Sequence, residues 1–158
     1  MPVLNVVVQT VDVTVSAKTR FVDSGVVVSR GEGVRITAAG RVNAESGYGF
    51  PEGRYPSNLS QDANRPEDLP NVDPTLGSQV NNRYTTPNLR RHSLALILWP
   101  EGDGAPPYLA PPLPADAAVQ INRSWDTPNL PNVYFDARNT DRLRVWFAFN
   151  DGKITDNK

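Results

Sequence analysis

The residues best placed to do chemistry lie at 150–158, directly after an apolar strand pattern. Five of these nine residues carry side-chain oxygen atoms: Asn150, Asp151, Thr155, Asp156 and Asn157. Calcium binds six to eight oxygen ligands at about 2.3–2.6 Å, and a tight polar loop supplies several of them at once. The EF-hand pattern is absent, and a solvated turn rich in Asp and Asn would have a similar composition. The segment therefore predicts either a calcium loop or an ordinary polar turn.

The sequence offers little for other catalytic or metal chemistry. It has no cysteine and a single histidine, His92, which we interpret as an ordinary residue at the entry to a strand. Zinc ligation there would need carboxylates for the remaining ligands, and no Gly-x-Ser-x-Gly motif marks a serine hydrolase. The Asp and Glu residues fall mostly in turn-rich segments, where solvated roles dominate. We therefore expect no enzyme activity, with a glycosidase-like enzyme as the third alternative.

The elements that must position these residues are β-strands. The chain has 15 prolines and 11 glycines in 158 residues, and 14 of the prolines lie between Pro51 and Pro131. Proline removes a backbone donor and fixes φ, so this stretch cannot be mostly helix or central strand. Short strand patterns between Gly and Pro turns predict one all-β domain over 1–158, an antiparallel β-sandwich. A long irregular loop section is expected at 45–92.

Individual strands are predicted from the alternation of apolar residues. Alternating valines continue an apolar run near the N-terminus, and an apolar stretch at 93–99 has the character of a central strand. In the segment at 143–150, Leu143, Val145, Phe147 and Phe149 should point to one face. Asp23-Ser24-Gly25 is predicted as a turn. The full set of predicted strands is 3–17, 26–29, 34–39, 93–99, 117–121, 133–135 and 143–150.

Charge and hydropathy exclude several classes of partner. The net charge is −1 and the pI is about 5.8, so nothing indicates nucleic-acid binding. No apolar run approaches the roughly 20 residues needed to span a bilayer, so no membrane span is expected. The N-terminal residues lack the basic and small-residue features of a signal peptide. We expect synthesis in the cytoplasm and non-classical release to act outside the cell.

The polar loop at 150–157 resembles, in its Asn-Asp, Thr and Asp-Asn spacing, the calcium loop of the PA-IL-like galactose-binding bacterial lectins. Phe21-Val22-Asp23-Ser24-Gly25-Val26 is similar to the family's aromatic-x-Asp-Thr-Gly-Ile/Val strand entry. The run at 30–40 is similar to its Gly-Asp-x-Val-x-Ile-x-Ala-x-Gly strand. Tyr48-Gly49 stands where the family has a calcium-binding tyrosine, and 94–97 resembles its central Ala-Leu-Ile strand. The resemblance implies a calcium-dependent β-sandwich lectin with a jelly-roll, galactose-binding-domain-like fold.

The resemblance also implies a set of ligands. Asp151, Asp156 and Asn157 would bind Ca²⁺ through side-chain oxygens, and Thr155 and Tyr48 through backbone carbonyls. Two vicinal hydroxyls of a galactoside-like glycan would complete the shell. A hard cation can exchange two waters for such a diol, while the ligand carboxylates accept hydrogen bonds from the same hydroxyls. Sugar contacts would then come from Asp151, Asn157, Tyr48 and Thr155.

Aromatic side chains that could cover the apolar face of a sugar ring are Tyr55, Tyr84 and Trp125, which are equally ordinary loop anchors. The alternative to a lectin is a structural or assembly β-sandwich module of a larger particle that binds no sugar. Lectins gain affinity by linking weak sites, so a homo-oligomer is a natural expectation.

One strand of the family pattern has no counterpart after the polar loop. The family continues with another apolar strand, whereas this sequence ends at Lys158. An apolar segment at the front of the sequence, Val3–Val8, has no counterpart in the family. We predict that it fills the vacant edge, within the chain or from a neighbouring subunit. A module cut from a longer protein is the alternative.

Overall fold

The fold is built almost entirely from antiparallel strands. The computed structural model describes residues 9–44, 47–54 and 74–157. These ranges contain one five-residue helix, α1 (Asn132–Asp136), and short 3₁₀ turns at Gly77–Gln79, Ala115–Ala117 and Ile154–Asp156. The all-β prediction is confirmed, and no described helix is long and apolar enough to cross a membrane. The strands are β1 (Val22–Ser29), β2 (Val34–Thr37), β3 (Val42–Ala44), β4 (Gly47–Gly49), β5 (Leu94–Pro100), β6 (Ala118–Gln120), β7 (Ser124–Thr127) and β8 (Arg142–Phe149).

The largest sheet has four strands in the order β1-β8-β5-β6. Strands β5 and β8 pair over seven residues, from Leu94↔Phe149 to Pro100↔Leu143. The central position of β5 was predicted from its nearly continuous apolar sequence, and its middle residues Ala95 to Leu98 are at most 1% exposed. A strand buried on both faces needs apolar residues at consecutive positions, which explains the pattern.

The main core lies on one face of this sheet. Leu143, Val145 and Phe147 of β8 contribute alternate side chains to it, together with Leu96 and Leu98 of β5. A two-stranded sheet, β2-β7, packs against the same core through the half-buried Val34, Ile36 and Trp125. The predicted alternation in β8 is therefore confirmed for its first three apolar residues.

Phe149, the last residue of β8, leaves the main core for a separate cluster. It packs with Ala17 of the N-terminal segment and with Ala44 of the β3-β4 pair. Gly49 of β4 lies so close to the Phe149 ring that an added Cβ would be 2.1 Å from Cζ. Three distant segments of the chain therefore meet at this end of β8.

Several local predictions were wrong. The turn predicted at Asp23-Ser24-Gly25 lies inside β1, where the register shifts and Gly25 takes φ +77°, as in a β-bulge. The strand predicted at 133–135 is helix α1, which begins directly after its N-cap residue Pro131. Residues 9–17 form no strand, although Val13 and Val15 do pack against the core. Val3–Val8 lies outside the described residues.

The section at 45–92 contains more structure than the sequence indicated. Strand β4 lies inside it, and the 3₁₀ turn at Gly77–Gln79 is next to a bridge between Leu76 and Arg90. Strands β3, β4 and β7 were missed because each has only three or four residues, too few for an alternating pattern to stand out. Residues 45–46 and 55–73 are outside the described part.

Candidate metal centre

Asn150 fixes the loop that follows β8. It is fully buried, and its Oδ1 accepts a hydrogen bond from the Thr86 backbone N–H at 2.9 Å. Its Nδ2 donates to the carbonyls of Leu89 and Arg90 at 3.2 and 2.9 Å. Each polar atom of this amide is thus used inside the protein. Asn150 therefore holds two loops together and is not a free oxygen donor.

Asp151 is 7% exposed, and the loop holds it through both its backbone and its side chain. The carbonyl oxygen accepts hydrogen bonds from Arg20 Nη1 at 2.8 Å and from the Thr85 N–H at 3.3 Å. The carboxylate oxygen Oδ1 accepts from the Lys153 N–H at 3.3 Å. These contacts fix the direction in which the carboxylate points.

The charge state of Asp151 suits a cation site. Burial alone would raise the pKa of Asp151, but the neighbouring His92 imidazole, with hydrogen bonds from Asn157 and the Lys153 N–H, lowers it below its ordinary value. The carboxylate is therefore ionised at neutral pH, which is the form that binds a divalent cation.

Asn157 lies next to Asp151 and carries an amide oxygen. The residue is 2% exposed, and its Nδ2 donates to the Ala17 carbonyl at 2.8 Å. Its Oδ1 is buried and has no hydrogen-bond partner among the described residues. A buried acceptor without a partner costs about 1–3 kcal/mol, so this atom is a natural ligand for a bound group.

The contacts of the other three predicted ligands, Tyr48, Thr155 and Asp156, are less completely defined by the structure. Thr155 is exposed in the 3₁₀ turn Ile154–Asp156, between Asp151 and Asn157. The side chain of Asp156 lies outside the described part of the structure. Tyr48 pairs with Asn43 across the β3-β4 sheet, and the neighbouring Gly49 packs on Phe149. The structure thus brings Asp151 and Asn157 together and puts Tyr48 at the same end of β8.

His92 belongs to this centre, which the sequence analysis missed. Its ring is 2% exposed and stacks on Phe149, with centroids 5.7 Å apart and an interplanar angle of 18°. Its Nε2 lies 3.6 Å from Oδ1 of Asp151. The pairing Leu94↔Phe149, continued by two residues, places His92 opposite Asp151. The register of two strands that had both been predicted was the signal that could have revealed this pair.

Two of the three aromatic residues proposed to cover a sugar ring are buried or half-buried. Tyr84 is 5% exposed and packs against Gly77, with its ring centroid 6.1 Å from that of His92. Trp125 is half-buried against the main core. Both are structural anchors, while Tyr55 lies outside the described residues.

The donor set around Asp151 mixes one carboxylate, one amide oxygen and one imidazole. Within the described ranges, no group of three or more His, Asp or Glu side chains is placed to hold a metal ion. No family model matches this chain, and neither a curated protein nor a solved structure is significantly similar to it. The lectin resemblance accordingly stays a prediction from the sequence motifs.

Proposed function

We propose that this chain is a calcium-dependent carbohydrate-binding module of lectin type, with no catalytic activity. The Ca²⁺ ion would be held by the loop at 150–157 and would bind two vicinal hydroxyls of a galactoside-like glycan. The observation that carries the proposal is the Asn157 Oδ1 atom, which is buried beside an ionised Asp151 and has no hydrogen-bond partner in the described part of the chain.

The chemistry of the loop supports calcium. Asp151 and Asn157 supply a carboxylate and an amide oxygen, the hard ligands that Ca²⁺ prefers. The carbonyls of Thr155 and Tyr48 and the carboxylate of Asp156 are the remaining protein ligands that we propose. With two sugar hydroxyls, the set reaches the six to eight oxygens that calcium takes.

The surrounding structure would prepare the loop for an ion. Arg20 and Thr85 hold the Asp151 carbonyl, and the Ala17 carbonyl holds the nitrogen end of the Asn157 amide. With that nitrogen engaged, the amide oxygen is the free end. A donor that is already oriented loses less entropy when it binds, which favours affinity.

A β-sandwich is the arrangement that we propose for the strands. The β2-β7 sheet packs on one face of the four-stranded sheet through Val34, Ile36 and Trp125. Two layers of sheet around one apolar core define the sandwich class. Because the proposed glycan lies outside the cell, the proposal includes release after synthesis in the cytoplasm.

A thermal melt in Ca²⁺ and in chelator tests the metal step. An ion that binds only the folded state at 100 times its Kd stabilises that state by about 2.7 kcal/mol, which is a visible shift in Tm. A glycan array with and without Ca²⁺ then tests the sugar step. Retention of a galactoside only in Ca²⁺ is the expected result, and equal Tm values in Ca²⁺ and chelator would contradict the proposal.

The second candidate is a structural or assembly module that binds no sugar. It is favoured by the burial of Asp151 and Asn157 and by the hydrogen bonds that both make within the protein. In this case the loop at 150–157 has a structural role and holds the C-terminal part of the described chain against the segment around Ala17. The same thermal melt distinguishes the two candidates. A structural loop needs no ion, so the Tm of the protein would be the same in Ca²⁺ and in chelator.

A further inference from the structure

We propose that His92 is a metal ligand, and that the Asp151 loop therefore also binds a divalent cation of the zinc class. The inference rests on the proposed function only in that both place an ion at Asp151. Oxygen-only coordination suits calcium, whereas imidazole nitrogen suits zinc and its neighbours in the transition series. His92 would thus decide which ions this loop accepts.

The distance between the two side chains carries the inference. Nε2 of His92 and Oδ1 of Asp151 are 3.6 Å apart. Hydrogen bonds between nitrogen and oxygen span about 2.7–3.2 Å, so this contact is too long for a good one. Two ligands that share one tetrahedral zinc ion, each at about 2.0–2.2 Å from it, lie roughly 3.4 Å apart. The spacing is close to that of a pair of metal ligands.

The fold holds the imidazole through the backbone of His92 and through the face of its ring. The backbone of His92 donates to the Asn150 carbonyl at 2.8 Å and accepts from the Phe50 N–H at 3.1 Å. It does so at φ +55°, in the left-handed region, and the ring is stacked on Phe149. Nδ1 is buried with no hydrogen-bond partner among the described residues. The fold thus orients Nε2 toward the Asp151 carboxylate before any ion binds.

A third donor lies beside Asp151, and part of the adjoining loop is exposed. The Asn157 amide is hydrogen-bonded to Asp151, and its Oδ1 is buried with no partner among the residues that the structure describes. Gly152 is half-buried and Lys153 is exposed, so the loop backbone next to Asp151 reaches the surface. One imidazole, one carboxylate and one amide oxygen leave a fourth position of zinc for water or another ligand.

Nitrogen NMR of the unmodified, untagged protein tests this directly. His92 is the sole histidine and the chain has no cysteine, so one pair of imidazole ¹⁵N signals reports the site without ambiguity. We expect Zn²⁺ to move the Nε2 signal much more than the Nδ1 signal, with saturation at one ion per chain. Unchanged Nε2 and Nδ1 signals at saturating Zn²⁺ would overturn the inference.

The variant His92→Asn offers a second test by calorimetry. Asparagine tolerates positive φ, so the backbone bend is kept, and it replaces the imidazole nitrogen by an amide. Loss of groups that merely orient a ligand costs about 10–100-fold in metal affinity, so loss of the ligand itself should weaken Zn²⁺ binding at least about tenfold. Ca²⁺ affinity should change much less. Equal Zn²⁺ affinity in variant and wild type would argue that His92 is no ligand.

Running both titrations separates the two proposals. If Ca²⁺ raises Tm and Zn²⁺ leaves the imidazole signals unchanged, the role of His92 is refuted and the calcium site stands. If Zn²⁺ moves Nε2 and Ca²⁺ has no effect on Tm, the calcium proposal fails and the His92 site stands. No response to either ion refutes both.

Discussion

Asn157 donates its Nδ2 to the carbonyl of Ala17 over 2.8 Å, so the loop after β8 is bonded to the segment before β1. Ala17 is itself 5% exposed and packs with Phe149 and Ala44. Arg20 makes a second link in the same region, to the carbonyl of Asp151 at 2.8 Å. The candidate site is therefore supported from both ends of the described chain, and substitutions on either side should affect it.

Replacing Asn157 by Asp should weaken the apo protein and strengthen its response to calcium. The variant loses the donor to Ala17 and places a second carboxylate beside Asp151, where like charges repel. A Ca²⁺ ion would relieve that repulsion. We expect a lower Tm in chelator and a larger rise in Tm with Ca²⁺ than in wild type. The control Asn88→Asp, at an exposed position, should behave as wild type.

Asp151→Asn should abolish the effect of Ca²⁺ on Tm and the retention of glycan. The substitution keeps the shape of the side chain and removes the charge that a divalent cation needs. Thermal melts and a glycan array measure the two effects. Asp103→Asn, in an exposed turn, serves as the control and should keep both responses. Normal calcium binding by Asp151→Asn would show that another loop holds the ion.

Arg20→Met should destabilise the fold by about 1.5–3 kcal/mol, the usual value of a charge-assisted hydrogen bond. The guanidinium bonds the buried Thr85 Oγ1 and the Asp151 carbonyl, and it lies 3.9 Å above the centre of the Tyr108 ring. Urea denaturation measures the loss. Arg35→Met should lose at most about 1 kcal/mol, because its partner Asp126 is at the surface. Equal losses in the two variants would contradict the assigned role of Arg20.

Gly49→Ala should be destabilising by about 1–3 kcal/mol or more through overpacking. The new methyl group would lie 2.1 Å from Cζ of Phe149 and 2.9 Å from the His92 carbonyl, so one of them must move. Gly152→Ala is the milder comparison, since its nearest neighbour, Asn81 Oδ1, is farther away at 3.1 Å and belongs to an exposed side chain. Urea melts of both variants should rank them in that order.

Asp23→Asn should reduce the loss of stability in acid. Hydrogen bonds from Arg144 at 2.8 and 2.9 Å hold the pKa of Asp23 below its ordinary value. Such a carboxylate stabilises the folded state above the unfolded pKa near 4, and that contribution is lost as pH falls through the lower folded value. The variant should be less stable at pH 7 and lose less Tm below pH 4. Parallel Tm curves from pH 7 to pH 2 would contradict this.

The parts of the fold that the sequence predicted are those with a long apolar pattern. Strands β5 and β8 lie within two residues of their predicted bounds because each carries an apolar pattern over seven or eight positions. The helix at Asn132–Asp136 was taken for a strand because its short apolar core, Val133 to Phe135, fits either period. Asp151 and Asn157 were singled out as candidate ligands by composition and by the lectin resemblance, neither of which needs knowledge of contacts. His92 was missed because its role depends on strand register, a long-range property that one strand alone does not reveal.

The register between β5 and β8 sets the position of His92 relative to Asp151. A slip of the pairing by a single residue would turn every side chain of β8 to the opposite face and also separate these two groups. The register that buries the apolar face of β8 is therefore also the register that brings these two side chains together. Correct folding of the sheet is therefore enough to place the imidazole next to the carboxylate.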